Sequence, residues 1–147
     1  MDKVTWVHVL ASEREIPAHL PQVAGVVIRM SGKQMATLNE TYRAFAQAFK
    51  FPDYFGFNMN ALYDLLTDLA WITFESMTLV ITDAEHVLCR GAAGDNEALL
   101  GVLESTGQHW ATPIALNEVW DREAIDFRTL LIRGEEKCAL LPLTTSV

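Results

Sequence analysis

Phe49-Lys50-Phe51-Pro52-Asp53-Tyr54-Phe55-Gly56-Phe57-Asn58-Met59-Asn60-Ala61-Leu62-Tyr63-Asp64-Leu65-Leu66-Thr67 is the stretch whose reading decides the fold. Pro52 stops any helix arriving from upstream, because its ring clashes with the preceding turn and it has no N–H to donate. Asn58 is a good N-cap for a new helix, predicted from Met59 to about Leu69. With about 100° between successive residues, Met59, Leu62, Leu66 and Leu69 fall within an arc of roughly 80°. Asn60, Tyr63, Asp64 and Thr67 cluster on the opposite side, with Asp68 beside them. The leucine edge belongs to a core. Burial does not account for the outer edge, which makes it the first place to look for function.

Upstream, Thr37-Leu38-Asn39-Glu40 has the capping-box pattern, and Leu38, Tyr42, Phe45 and Phe49 recur at helical spacing behind it. This aromatic stripe reads as core, not as a cofactor box. Val23 to Met30 is β-branched and apolar and runs into Ser31-Gly32, as expected of a first core strand closing in a turn. Val4 to Leu10 reads as a short strand, joined to it by a polar link through Pro17 and Pro21. Downstream, Met77 to Ile81 is a buried strand, and Asp83 to Leu88 is one or two helical turns running to a Gly91 to Gly94 loop. Asp95 or Asn96 can cap a helix to about Thr106, with Leu99, Leu100, Val102 and Leu103 inward, and Phe127 to Ile132 is the last clear strand. Strands alternating with helices predict an α/β layer structure with parallel pairing.

At 147 residues, half of them apolar and a fifth charged, the chain is expected to fold as one domain over residues 1–147 without staples. No apolar run approaches the ~20 residues of a membrane span, and Val4 to Ala11 is a poor signal peptide. Two cysteines, Cys89 and Cys138, form no local motif and are expected to be reduced thiols of a cytoplasmic protein. Net charge is −8, and between Lys50 and Arg90 there is no Lys or Arg, while Asp53, Asp64, Asp68, Glu75, Asp83 and Glu85 supply six acids. Such a balance argues against direct nucleic-acid binding and is compatible either with plain solubility or with a face shaped for a basic partner.

Metal and cofactor chemistry finds little support. His8, His19, His86 and His109 are scattered, with no H-E-x-x-H or Cys/His cluster, and no phosphate-binding or hydrolase-elbow glycine motif occurs. Arg90 beside Cys89 and the pair Asp64 and Asp68 could in principle serve a thiolate or an acid–base pair, but both read more simply as incidental neighbours. No cofactor and no metal are expected.

The run from Met30-Ser31-Gly32-Lys33-Gln34-Met35 through Phe49 to Thr67 resembles the barstar family without a gap. The shared frame is a strand ending in a polar-Gly turn, a helix, then Pro-acid-aromatic-aromatic-Gly-x-Asn-x-polar-Ala-Leu-aromatic-Asp-x-Leu-Thr. It covers slightly over a quarter of the chain, within a family-like core of about residues 23–133. The resemblance implies a small three-stranded parallel sheet packed with helices, here with extra N-terminal and C-terminal segments. It also implies a helix whose exposed face enters the active site of a ribonuclease. Tyr54, Asn58, Tyr63, Asp64 and Thr67 fall where this family contacts its enzyme, with Asp64 matching the carboxylate that stands in for substrate phosphate. Phe57, Asn60 and Asp68 complete the candidate inhibitor interface.

Local structure offers its own reading of several of these residues. Tyr54 and Phe55 can pack a turn, Gly56 can serve a positive φ, and Asn58 is explained as a cap. Asn60 stands where the family has a second Asp, and Asp68-Leu69 replaces a Gly-Trp pair. Asp68 and Trp71 are candidates to restore the missing charge and aromatic. The Trp110 to Asp126 insertion has no family counterpart. The resemblance implies a non-enzymatic immunity protein that binds a basic toxin one to one, most simply a ribonuclease, and these departures imply a toxin other than the family's usual enzyme. The alternatives are a regulatory module that no longer inhibits a nuclease, and a small enzyme.

Overall fold

The computed structural model describes residues 5–119 and 121–134. Four strands form one parallel sheet in the order β1-β4-β3-β2: β1 Val7–Leu10, β2 Val26–Ser31, β3 Ser76–Thr82 and β4 Asp126–Ile132. The α/β class is as expected, but the strand count is four and not three. Val7 to Leu10 pairs with Thr129 to Ile132 and extends the sheet by one edge strand. The link after β1, expected to be a polar turn, contains a 3-10 turn at Glu13–Glu15, closed by a Ser12/Glu15 capping box, and the short helix α1, Ile16–His19.

The sheet buries its two faces unequally. Met77, Leu79, Ile81, Phe127 and Leu131 face the large core, covered by α2 (Leu38–Phe49), α3 (Met59–Leu66) and α4 (Asp95–Ala111). Val80, Leu130, Ile132 and Leu10 face a small second core that is covered by Ile16. This alternation is the two-residue period of a strand. β3 is buried on both faces, which explains why Met77, Leu79, Val80 and Ile81 are apolar without alternation.

Helix α2 starts as predicted, with Thr37 accepting from the Glu40 N–H and Glu40 accepting from the Thr37 N–H at 3.2 Å each. It ends at Lys50, whose left-handed backbone turns the chain out of the helix. The bounds of β2 and α4 differ from expectation. β2 begins at Val26, three residues late. α4 starts on Gly94 with no side-chain cap and runs to Ala111, well past Thr106, absorbing the first residues of the supposed insertion. The Asp95 carboxylate accepts the Ala92 N–H at 2.9 Å and so closes the loop before the helix. Cys89 is disulfide-bonded, which corrects the expectation of two reduced thiols. Linear spacing detects local cysteine motifs and is blind to a bond closed by tertiary folding. Cys138 lies outside the described residues.

The extension of α4 depends on Gly107, which is buried where the helix crosses the start of β1. A Cβ there would lie 2.2 Å from the Trp6 Cβ and 2.9 Å from the Phe127 carbonyl oxygen, whereas a Cβ at Gly101 on the same helix meets nothing within 4 Å. Helix propensity alone favours Ala over Gly by about 0.8–1 kcal/mol at either site. The two substitutions are therefore expected to act with opposite sign. Gly101→Ala raises the melting temperature, and Gly107→Ala lowers it, since overpacking costs about 1–3 kcal/mol. Paired thermal melts check both.

Candidate inhibitor interface

The loop from α2 to α3 is built on aromatic rings. Phe55 is buried, with Phe51 at 5.0 Å, Phe57 at 5.1 Å and Tyr42 at 5.9 Å between ring centroids. Phe57 adopts a left-handed backbone (φ 49°) and keeps 42% of its surface exposed. Tyr54 is 74% exposed. Anchoring Phe55 therefore holds Tyr54 and Phe57 at the surface, so packing a turn accounts for Phe55 but not for Tyr54.

Asn58 caps α3 as predicted: its Oδ1 accepts the Ala61 N–H at 2.8 Å and its Nδ2 donates to the Gly56 carbonyl at 3.1 Å. The helix ends at Leu66, earlier than Leu69, because Thr67 turns its hydroxyl back onto the Tyr63 carbonyl at 2.8 Å and Leu69 is left-handed. Leu69 stays buried beyond the helix. Leu62, Leu65 and Leu66 form the buried edge, while Met59 is only half-buried. Taking about 100° per residue, this edge centres opposite Asn60, Asp64 and Thr67, as predicted.

Asn60, Asp64 and Asp68 are exposed, and Tyr63 and Thr67 are half-buried. Among the described residues, neither carboxylate has a hydrogen-bonded or ion-paired partner within the chain. Asp64 on α3 and Asp68 in the turn just past it thus stand unneutralised, in a stretch from 51 to 89 that has no Lys or Arg. Trp71 is only partly available: its indole N–H donates to the Phe49 carbonyl at 2.7 Å, tying the turn after α3 to the end of α2.

Sequence reasoning missed the neighbour of this face. Trp110 donates its indole N–H to the Leu66 carbonyl at 2.8 Å, fixing α4 against the end of α3. The Arg122 guanidinium lies 4.6 Å from the centroid of the Trp110 ring and donates to the carbonyls of Trp110 and His109 at 3.0 Å each. It thereby caps the C-terminus of α4, where a cation is favoured. Tyr63, Ser105, Gln108, His109, Ile114 and Arg122 line an open cleft of about 390 Å³. An arginine twelve residues past a tryptophan leaves no periodic signal, so the cluster was invisible before folding. Among the described residues no group of side chains is arranged to hold a metal.

This geometry defines a class: a parallel α/β scaffold that carries uncompensated acids and exposed aromatics on one helix and its leading loop. The chain belongs to the Barstar (barnase inhibitor) family, whose model matches residues 26–132. No curated protein matches the chain significantly. Members of this family bind a ribonuclease and are inhibitors, not enzymes.

His109 also links the site to pH. Burial, reinforced by the nearby Arg122 charge, holds its imidazole below the ordinary value of 6.5, against a hydrogen bond to the Thr67 backbone that raises it. A depressed value means that the native state prefers the neutral ring. That contribution to stability is complete above about 6.5 and is lost as pH falls through the lowered folded value. Denaturant melts from pH 7.5 to 5 are expected to show stability declining, with a shallower decline in His109→Gln. His8, lowered mainly by burial and by His19, retains its share of the slope.

Proposed function

We propose that this chain is an immunity protein that binds a basic toxin ribonuclease one to one and blocks its active site with the outer face of α3 and the loop before it. The observation that carries the reading is the unpaired state of Asp64 on a helix whose opposite edge is locked into the core. A polyanion-cleaving enzyme must present a positive cleft. A carboxylate that is already fixed and has no internal partner can occupy the phosphate position without breaking an existing bond. Tyr54 and Phe57 supply aromatic area at the end where α3 begins. Asn60, Tyr63 and Thr67 flank the acid, and Asp68 extends the charge towards the rim. Asn58 acts through its cap, which sets where the helix starts.

The role requires no cofactor, no catalysis and no contact with nucleic acid by this chain. No helix among the described residues is long and apolar enough to cross a membrane. An immunity protein guards the cell that makes the toxin, so we assign it to the bacterial cytoplasm. The disulfide at Cys89 withdraws the support that reduced thiols would have lent to that compartment and leaves the immunity role in its place. Asn60, in place of the family's second acid, favours an enzyme other than barnase. It also motivates the second reading, a regulatory module that has lost inhibition.

Calorimetric titration against a panel of purified bacterial ribonucleases, barnase included, tests the proposal. Asp64→Asn keeps the helix and removes the charge. Against the tightest binder it is expected to cost ~2–5 kcal/mol, the general range for truncating one partner of a buried charge pair, to which the barnase–barstar complex itself contributes. That corresponds to a roughly thirty- to several-thousand-fold rise in Kd. Asp68→Asn is expected to cost under about tenfold, as a rim charge that mainly tunes the on-rate. Stopped-flow association slows with salt if the acidic face steers encounter, because screening acts within ~8 Å at physiological ionic strength. A neutral Asp64→Asn in a folded protein means that α3 is not the plug.

A further inference from the structure

Beyond α4 the chain doubles back in a small hairpin. Ile114 and Arg122 form an antiparallel bridge, each donating its N–H to the other's carbonyl, at 2.9 and 3.0 Å. Inside it, the Asp121 carboxylate accepts the N–H groups of Leu116 at 2.9 Å and Asn117 at 2.8 Å, and Asn117 takes a left-handed turn (φ 61°). These bonds, that from Leu116 foremost, hold the Asp121 carboxyl below its ordinary range. At the base, Arg122 clamps the hairpin onto the end of α4. The turn is fastened at both ends.

What it holds out is apolar. Leu116 is 68% exposed and Val119 is 97% exposed, with Glu118 exposed between them. An ordered turn that spends hydrogen bonds to present two large aliphatic side chains to water gains nothing from them in the isolated fold. An interface gains from such an arrangement, because the ordering cost is already met before binding. The location selects the partner. Ile114 and Arg122, the two residues of the bridge, line the same cleft as Tyr63 of α3, so the hairpin base adjoins the proposed plug face.

We propose that the hairpin is a second docking element, in which Leu116 and Val119 seat on an apolar lip beside the basic cleft of the ribonuclease that α3 occupies. It selects among such enzymes by a feature outside their shared active site. This rests on the inhibitor reading above. It also offsets the acid missing at Asn60, since apolar contact outside the cleft replaces charge within it.

The test uses the full chain and the ribonuclease of the panel that it inhibits most tightly. The paired variant Leu116→Ser/Val119→Ser alters exposed tips only, and thermal melts are expected to match the parent. Its Kd is expected to rise about tenfold or more, carried by a faster off-rate with the salt dependence of association unchanged. Its Kd for weakly bound ribonucleases of the panel is expected to change less, which reports selection. An unchanged Kd and off-rate in the pair, while Asp64→Asn weakens binding, overturns the hairpin and leaves the plug standing. If the parent chain binds no ribonuclease, the inhibitor reading falls and the hairpin proposal falls with it.

Discussion

The indole N–H of Trp110 meets the carbonyl of Leu66 at 2.8 Å, on the last residue of α3. A carbonyl at a helix end has no partner within its own helix, and Trp110, being buried, needs an acceptor for its N–H. One bond meets both needs and ties α4 to the helix that carries the unpaired Asp64. The other end of α3 is closed by Asn58, and its inner edge is sealed by Leu62, Leu65 and Leu66. With both ends and one side fastened, the outer face has little freedom left to lose when a partner arrives. The direction of the Asp64 carboxylate depends on this seating.

Electrostatics and packing are divided between the two sides of the helix. Core contacts set where α3 lies. In the proposed role the exposed acids recognise the partner, and they add little to stability, since unpaired surface charges contribute little to a fold. Substitutions on the outer face should therefore change binding without unfolding the protein. The aromatic cluster around Phe55 applies the same division to the preceding loop, burying one ring so that Tyr54 and Phe57 can stay exposed.

Local chemistry was legible in the sequence, and tertiary chemistry was not. The Thr37/Glu40 capping box, the Asn58 cap and the two edges of α3 follow from the spacing of a few residues, so they were readable in advance. Spacing alone puts Asn60, Tyr63, Asp64 and Thr67 on an outer face, and in the structure Asn60 and Asp64 are exposed while Tyr63 and Thr67 are half-buried. The length of α4 was not readable, because Gly107 reads as a helix weakener until Trp6 is seen lying against it. The pairing of Val7–Leu10 with β4 joins residues more than a hundred positions apart, and no periodicity reports such a partner. The disulfide at Cys89 and the Arg122 clamp on α4 were hidden for the same reason. The hairpin after α4 looked like a featureless insertion because Asp121 acts through backbone N–H groups, which sequence patterns do not display.

An α3 face that fills the substrate cleft of a ribonuclease must be told apart from one that binds elsewhere on the enzyme's surface. Steady-state inhibition of the most tightly bound ribonuclease, measured across a series of short RNA substrate concentrations, separates the two directly. Filling the cleft predicts competitive inhibition, with apparent KM rising in proportion to inhibitor and kcat unchanged. Inhibition that lowers kcat at saturating RNA, or a complex that still cleaves RNA at the free enzyme's rate, would contradict it.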